Sequence, residues 1–292
     1  MHTGKHYSFK EVIVWTRRDI YFHIVVATIP TACYILFHWK WLAIPWLPVA
    51  LLGTAVAFIV GFKNNASYDR MWEARRIWGS IVNASRGWGI MVKDYITSTH
   101  AKTDISDTEI MKIQQQLIYR HLAWLTSLRY QLREPRTWEA IYKKHNAEYK
   151  NKYFIVDEHV NNAADAIKQY LDENEFTQIS SKTNKAAQIL ALQSAQLKEL
   201  LHKGLIEDFR HMELEKMLIE FYNNQGASER IKNFPYPRQY ATLNKWFISI
   251  FSVLTPLAML QEFEKAWWKP GLVKHSVQCT GMLGIYHHGK NR

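Results

Sequence analysis

The fold is decided by residues 20–62, which read IYFHIVVATIPTACYILFHW, then Lys40, then WLAIPWLPVALLGTAVAFIVGF. Lys40 is the only Lys, Arg, Asp or Glu in this stretch. At about 1.5 Å per helical residue, each apolar run is long enough to cross a hydrocarbon core of roughly 30 Å. The second run follows the first after one charged residue, a pattern unlike a cleavable signal peptide. Residues 20–63 are therefore predicted to form a transmembrane helical hairpin.

A third span is predicted over residues 239–263, around the uncharged run from Trp246 to Gln261. It requires Lys245 to extend its ammonium group to the interface, or the helix to begin inside the protein. Basic residues flank the open side of the hairpin and leave only Lys40 at its turn: Lys10, Arg17, Arg18, Lys63, Arg70, Arg75 and Arg76. By the positive-inside rule, the N-terminal segment 1–19 and the central region 64–238 are predicted to be cytoplasmic.

The central region is predicted to be entirely helical, because Pro and Gly are scarce and apolar residues recur at helical spacing. The helix of the second span is expected to continue through Trp88. Further helices are expected at 111–132, 160–171 and 185–223, with Asn224, Gln225 and Gly226 ending the last. The fold class is therefore an all-α integral membrane protein. The net charge of +11 accompanies no nucleic-acid recognition motif, so the basic residues are assigned to the membrane flanks and no nucleic-acid partner is predicted.

Thr54, Phe58 and Phe62 are spaced four apart on the second span and share one helical face. Beside them runs a stripe of small residues, Gly53, Ala57 and Gly61, of the kind that lets helices approach closely in lipid. A ring of such helices would turn the two phenylalanines toward a common axis, where an apolar constriction controls conduction by narrowing and dewetting. The alternative is an ordinary packed helix face.

The segment GFKNNASYDRMWEARRIWG at residues 61–79 resembles the signature of bacterial bestrophin homologues. Glu229-Arg230-Ile231 and the Pro235-x-Pro237-x-x-Tyr240 approach to the third span extend the resemblance, which runs from about residue 8 to about residue 265. The signature positions expected to be structural are Gly61, Asn64, Asn65, Tyr68, Arg70, Trp72, Glu73, Arg75, Trp78, Gly79, Pro235 and Pro237.

The resemblance implies a homopentameric ion channel in the bacterial inner membrane, passing monovalent ions without a cofactor. Matched by position, the apolar neck would be Thr54, Phe58 and Phe62, and a second, cytoplasmic constriction would be Phe209. Thr54 departs from the family, which usually has an aliphatic residue there. Selectivity stays open between chloride-type anions and sodium-type cations, and the absence of the acidic cluster of the eukaryotic members predicts no calcium activation.

Other functions are weighed against the same residues. His211, Glu213 and Glu215 offer too few ligands for a metal site and are expected on a solvated or interface face. No nucleophile with a spaced base and no phosphate-binding glycine loop is found, so an enzyme is not expected. A membrane-anchored helical scaffold without conduction is the remaining alternative.

The tail from 264 to 292 departs from the family, because no fourth apolar span follows Glu264. Residues 286–292, YHHGKNR, permit the codons TAC CAC CAT GGA AAA AAT AGG. Shifted by one base, these read Thr-Thr-Met-Glu-Lys-Ile-Gly, which resembles the end of the family's fourth helix. We therefore hypothesise a frameshift between about Glu264 and Val277, which sequencing the gene would test.

Overall fold

The computed structural model describes residues 7–136 and 157–267, which form nine α-helices, one 3₁₀ turn at Lys40–Leu42 and no strand. The helices are α1 (Phe9–Leu36), α2 (Trp46–Tyr95), α3 (Asp107–Arg133), α4 (Asp157–Val160), α5 (Ala163–Lys168), α6 (Glu173–Ser180), α7 (Lys185–His202), α8 (Asp208–Asn233) and α9 (Arg238–Trp267). The predicted all-α class is confirmed. Three of these segments are long and apolar enough to cross a membrane: α1, α2 with its preceding turn, and α9.

The described chain divides into two compact units. The membrane unit comprises residues 7–65 and 236–267, and the helical unit comprises residues 66–136 and 157–235. The helix α2 is unbroken over 50 residues and contributes to both units. The predicted continuation of the second span through Trp88 is therefore confirmed.

Two helices are longer than the spans predicted within them. A capping box starts α1 at Phe9 rather than at residue 20: Ser8 Oγ accepts from Glu11 N at 3.3 Å, and the Glu11 carboxylate accepts from Ser8 N at 2.8 Å. At the other end of the membrane unit, α9 continues to Trp267 and so includes Glu264, which was assigned to the tail. Residues 268–292, with most of the predicted frameshifted tail, lie outside the described residues.

The predicted single helix over 185–223 is wrong, because the chain breaks it at Gly204. Gly204 has a φ of +74°, and a Cβ there would lie 2.2 Å from the carbonyl oxygen of His100. The Gly204 and Leu205 N–H groups donate to Leu201 O and Leu200 O, both at 3.0 Å, which is the Schellman pattern of a helix C-terminus. The apolar spacing continues across this break, so periodicity alone did not reveal it.

The predicted helix ends elsewhere in the central region need smaller corrections. Asn224, Gln225 and Gly226 do not end a helix but lie inside α8, which runs to Asn233. The helix predicted over 160–171 is shorter: α4 ends at Val160, and the Asn162 side chain accepts from Ala164 N at 3.0 Å and starts α5, which ends at Lys168. The helix predicted over 111–132 is observed at Asp107–Arg133.

The core of the helical unit is built on aromatic rings from α2, α3 and α8. Trp88, Trp124 and Phe221 are almost completely buried. The ring centroid of Phe221 lies 6.0 Å from that of Trp88 and 5.0 Å from that of Trp124. The Trp124 indole donates to Gln225 Oε1 at 2.9 Å, so its one polar atom is satisfied. Burial of several large rings at this density makes the cluster a principal source of stability in the helical unit.

His121 of α3 lies inside this cluster, 4.6 Å from the Phe221 ring and only 4% exposed. The Ser85 hydroxyl donates to Ile81 O at 2.7 Å, so it accepts from His121 Nε2–H at 2.9 Å. Because burial disfavours the charged imidazolium, the pKa of His121 is lowered from 6.5 to about 4. His121 is therefore a neutral core residue at physiological pH.

Candidate ion pathway

The predicted neck residues lie on one uncovered face of α2 in the membrane unit. Phe58 is 65% exposed and Phe62 is 70% exposed, and Thr54 is exposed as well. The Thr54 hydroxyl donates to Ala50 O at 3.2 Å, one helical turn back, so its polar atom is satisfied by the helix itself. Most of the surface of these rings is left uncovered by the described chain, so the face is available to lipid or to another subunit.

The small residues beside this face have different surroundings. A Cβ at Gly53 would lie 2.8 Å from the Phe251 ring of α9, so glycine allows α2 and α9 to approach closely there. A Cβ at Gly61 would meet nothing within 4 Å. Packing within the described chain therefore explains Gly53 but not Gly61.

The polar residues that follow Phe62 are exposed along α2. Asn64, Asn65 and Arg75 have no side-chain hydrogen bond within the described ranges. Tyr68 and Trp72 stack on each other, with ring centroids 6.4 Å apart and planes 12° apart, and both remain more than half exposed. These side chains thus point away from the core of their own unit.

Arg70 and Glu73 have partners at the end of α8 in the same helical unit. The Arg70 guanidinium donates to Phe234 O at 2.8 Å and also to Ile231 O. These carbonyls belong to the last turn of α8, where helical partners are missing. Arg230 donates to the Glu73 carboxylate at 2.8 Å. The signature therefore closes the C-terminus of α8, a role that sequence reasoning did not specify.

Further along α2, other residues are exposed to different degrees, among them Met71, Trp78, Gly79 and Val82. A Cβ at Gly79 would meet nothing within 4 Å, as at Gly61. Ile81 and Trp88 of the same helix are almost completely buried, and Gly79 lies on the side of the helix opposite to them. Met71 is more than half exposed, whereas Trp78 and Val82 are only partly exposed, at 39% each.

Phe209 is the second residue of α8 and is 83% exposed. Its side chain therefore has little contact with the described part of the chain, and its predicted role as a constriction stays a prediction. Pro235 follows the end of α8, and the Pro237 carbonyl accepts the Ala241 N–H at 3.0 Å at the start of α9. Both prolines therefore stand between helices, where a missing N–H is tolerated.

The residues weighed as metal ligands have other contacts. Glu213 accepts from Lys216 at 2.6 Å, and His211 Nε2 lies 3.7 Å from Glu215. Glu215 also accepts from the Ser194 hydroxyl at 3.0 Å. Over residues 7–136 and 157–267, no group of three or more His, Cys, Asp or Glu side chains is arranged to hold a metal ion.

The membrane unit also contains a polar cluster that sequence reasoning missed. Tyr34 OH donates to the Glu264 carboxylate, and Lys40 Nζ donates to the same carboxylate at 2.6 Å. These residues are more than 220 positions apart in the chain. The only signal in the sequence was that Lys40 is the lone charge between two apolar runs, since Glu264 stands beside Glu262 and Lys265.

Fold and site together define an all-helical membrane protein with an uncovered aromatic face on its second span and an arginine-closed helix end before its third. A family model described as "Bacterial/Fungal Bestrophin protein" matches residues 10–280. The chain belongs to this bestrophin family, as the signature at residues 61–79 predicted. The match extends beyond Glu264 into the stretch suspected of a frameshift, which stays a prediction.

Curated relatives are similar over most of this chain. The voltage-dependent anion channel-forming protein YneE of Salmonella typhi is 25% identical over 213 residues, covering 73% of this chain and 58% of that protein. The voltage-dependent anion channel-forming protein RSc3414 of Ralstonia nicotianae is 24% identical over 216 residues, with the same coverage. The chain thus spans less than two thirds of the length of these relatives.

Solved structures share the fold. A variant of a bacterial bestrophin homologue from Klebsiella pneumoniae superposes with a TM-score of 0.67 at 20% identity, covering 85% of this chain and 79% of that chain. A second variant of the same homologue gives a TM-score of 0.66 at 21% identity. At this level of identity the likeness establishes the fold.

Proposed function

We propose that this chain forms a homopentameric channel that passes monovalent ions across the bacterial inner membrane. Five copies of α2 would surround the axis, with Thr54, Phe58 and Phe62 as the apolar neck and Phe209 as a second constriction. The observation that carries the proposal is the uncovered face of α2, whose two phenylalanines are 65% and 70% exposed. The relatives named as anion channel-forming proteins support conduction rather than catalysis.

The glycines of α2 support assembly with other copies. A glycine inside a helix costs roughly 1 kcal/mol relative to alanine. Gly61 and Gly79 have open space where a Cβ would stand, so no contact within the described residues offsets that cost. Close approach of a neighbouring subunit would explain why both positions lack a Cβ. The same contact would cover the exposed parts of the Trp72 and Trp78 rings.

Anions are the proposed permeant ions. The segment after Phe62 is rich in basic residues, including Arg75 and Arg76, and the whole chain carries a net charge of +11. Clustered positive charge raises the local concentration of anions, whereas an apolar neck has no charged groups that would select between anions and cations. The proposed topology places the N-terminus and the helical unit in the cytoplasm, following the basic flanks of the hairpin.

The test is single-channel recording from the purified protein in planar bilayers under a potassium chloride gradient. An anion channel reverses near the chloride equilibrium potential, and a cation channel reverses near the potassium value. The double change Phe58→Ala and Phe62→Ala is expected to raise the conductance, because it widens and wets the neck. Phe22→Ala removes a ring that is also exposed, on α1, and serves as the matched control.

Two results would count against the proposal. An unchanged conductance in the double variant would place the neck elsewhere. Silence from the chain as given, and also from a form with the predicted reading frame restored, would favour the non-conducting scaffold.

A further inference from the structure

A cavity of about 690 Å³ opens between α1 and α9 in the membrane unit. Its walls are mainly apolar and include Ala27, Ile35, Met259, Leu260 and Phe263. One end is polar and is lined by Tyr34, His38, Lys40 and Glu264. The cavity therefore combines an apolar body with a charged end, which is the pattern of an amphiphile.

The opening lies beside a proline in each helix. Pro30 lies inside α1 and Pro256 lies inside α9, where a proline removes a backbone hydrogen bond and bends the helix. Thr31 Oγ1 donates to Ala27 O at 2.8 Å and Thr255 Oγ1 donates to Phe251 O at 2.6 Å, a type of bond that also favours helix bending. Thr31, Thr255 and Pro256 all line the cavity, so the space is built by the sequence of both helices.

The charged end has hydrogen-bonding capacity left over. Lys40 Nζ donates to Glu264 Oε1 at 2.6 Å and to the Tyr34 hydroxyl at 3.3 Å, which uses two of its three N–H groups. The Glu264 carboxylate accepts from Lys40 and Tyr34 but offers about four lone-pair positions. One cationic donor and about two anionic acceptor positions thus remain, about half exposed, at the end of the cavity.

The backbone conformation of His38 is a second indication of a binding site at the polar end of the cavity. It has a φ of +54°, the only positive φ of a non-glycine residue over the described ranges. A left-handed conformation costs a non-glycine residue about 1 kcal/mol or more, and such residues cluster at binding sites. His38 also lines the cavity, so the strained turn presents an imidazole beside Lys40.

We propose that this cavity binds a phospholipid with a zwitterionic, primary-amine headgroup. The helices that form it are candidate membrane spans, so hydrocarbon is the medium around its apolar walls. One acyl chain would lie between the two helices, the headgroup ammonium would donate to Glu264, and the phosphate would accept from Lys40 and His38. Paired opposite charges fit such a headgroup better than a purely anionic one, for which Glu264 is repulsive.

The test is native mass spectrometry of the purified full chain in mild detergent. Phosphatidylethanolamine, phosphatidylcholine and phosphatidylglycerol with identical acyl chains are titrated, and bound lipids per subunit are counted. A quaternary ammonium has no N–H to donate to Glu264, so ethanolamine lipid is expected to bind about tenfold more tightly than choline lipid. Glu264→Gln is expected to remove most of that preference.

A size variant tests the cavity itself. Ala27→Trp fills the space and is expected to abolish the bound lipid, whereas Val25→Trp, at an exposed position of α1 outside the cavity lining, leaves it unchanged. Equal binding of the three headgroups, tightest binding of the glycerol lipid, or lipid retained in Ala27→Trp would each overturn the assignment. Lipid binding needs no conduction, so failure of the channel proposal leaves this result intact.

Discussion

Lowering the pH from 7 to 5 is expected to destabilise the helical unit through His121. Its pKa in the fold is about 4, against 6.5 when unfolded. The unfolded chain therefore binds the proton more readily, so stability is fully present above pH 6.5 and falls as the pH decreases toward 4. At 1.36 kcal/mol per unit of pKa difference, the full effect is about 3 kcal/mol, of which about 2 kcal/mol falls between pH 7 and pH 5.

Hydrogen exchange of α3 amides, measured on the whole protein, reports on this unit by itself. The control variant is His121→Gln, which keeps an amide donor for Ser85 but does not titrate. Carboxylates elsewhere contribute equally to both proteins, so the difference between their pH profiles isolates the imidazole. If the variant loses as much protection as the natural protein between pH 7 and pH 5, the buried neutral histidine is not the cause, and the reasoning fails.

Three further predictions, the first with a paired control variant, test the helical unit and its assembly. Gly204→Ala is expected to lower the free energy of unfolding in urea by at least about 2 kcal/mol, because alanine fits neither the positive φ nor the space. The control Gly226→Ala has open space at its Cβ and is expected to raise the free energy of unfolding by about 1 kcal/mol. Gly79→Ala is expected to raise unfolding stability by a similar amount yet lower the pentamer fraction in light scattering; an intact pentamer would refute the proposed contact. Arg70→Lys is expected to lower the free energy of unfolding by about 1 to 2 kcal/mol, since an ammonium cannot reproduce the forked hydrogen bonds to Phe234 O and Ile231 O at the end of α8. Proteolysis between α8 and α9 is expected to become faster, and an unchanged cleavage rate would contradict this prediction.

The membrane spans and the aromatic face of α2 were accessible from the sequence because both depend on local spacing. Uninterrupted apolar length identifies a span, and positions four apart share a helical face, as for Thr54, Phe58 and Phe62. The break at Gly204 was missed because the apolar period passes through it. A glycine after His202 and Lys203 is nevertheless a helix-end signal of its own, and it outweighed the period.

Contacts between distant parts of the chain were beyond sequence reasoning. Arg70 bonds carbonyls more than 160 residues away, and Lys40 bonds Glu264 across a still longer separation. Nothing in the spacing around either residue specifies its partner, because the pairing is set by how helices pack. The cavity depends in the same way on the packing of α1 and α9, whose lining residues lie far apart in the chain.

The capping box at Ser8 has a consequence for how α1 responds to bilayer thickness. The apolar part of α1, from Ile20 to Leu36, is only about 25 Å long at 1.5 Å per residue, somewhat shorter than a typical hydrocarbon core. The capped turns before it fix where the helix begins, so polar residues such as Arg17 and Arg18 belong to the same continuous helix as the apolar part. Hydrophobic mismatch in a thick bilayer must then be relieved by local thinning of the lipid and by snorkelling of those arginines, rather than by tilting.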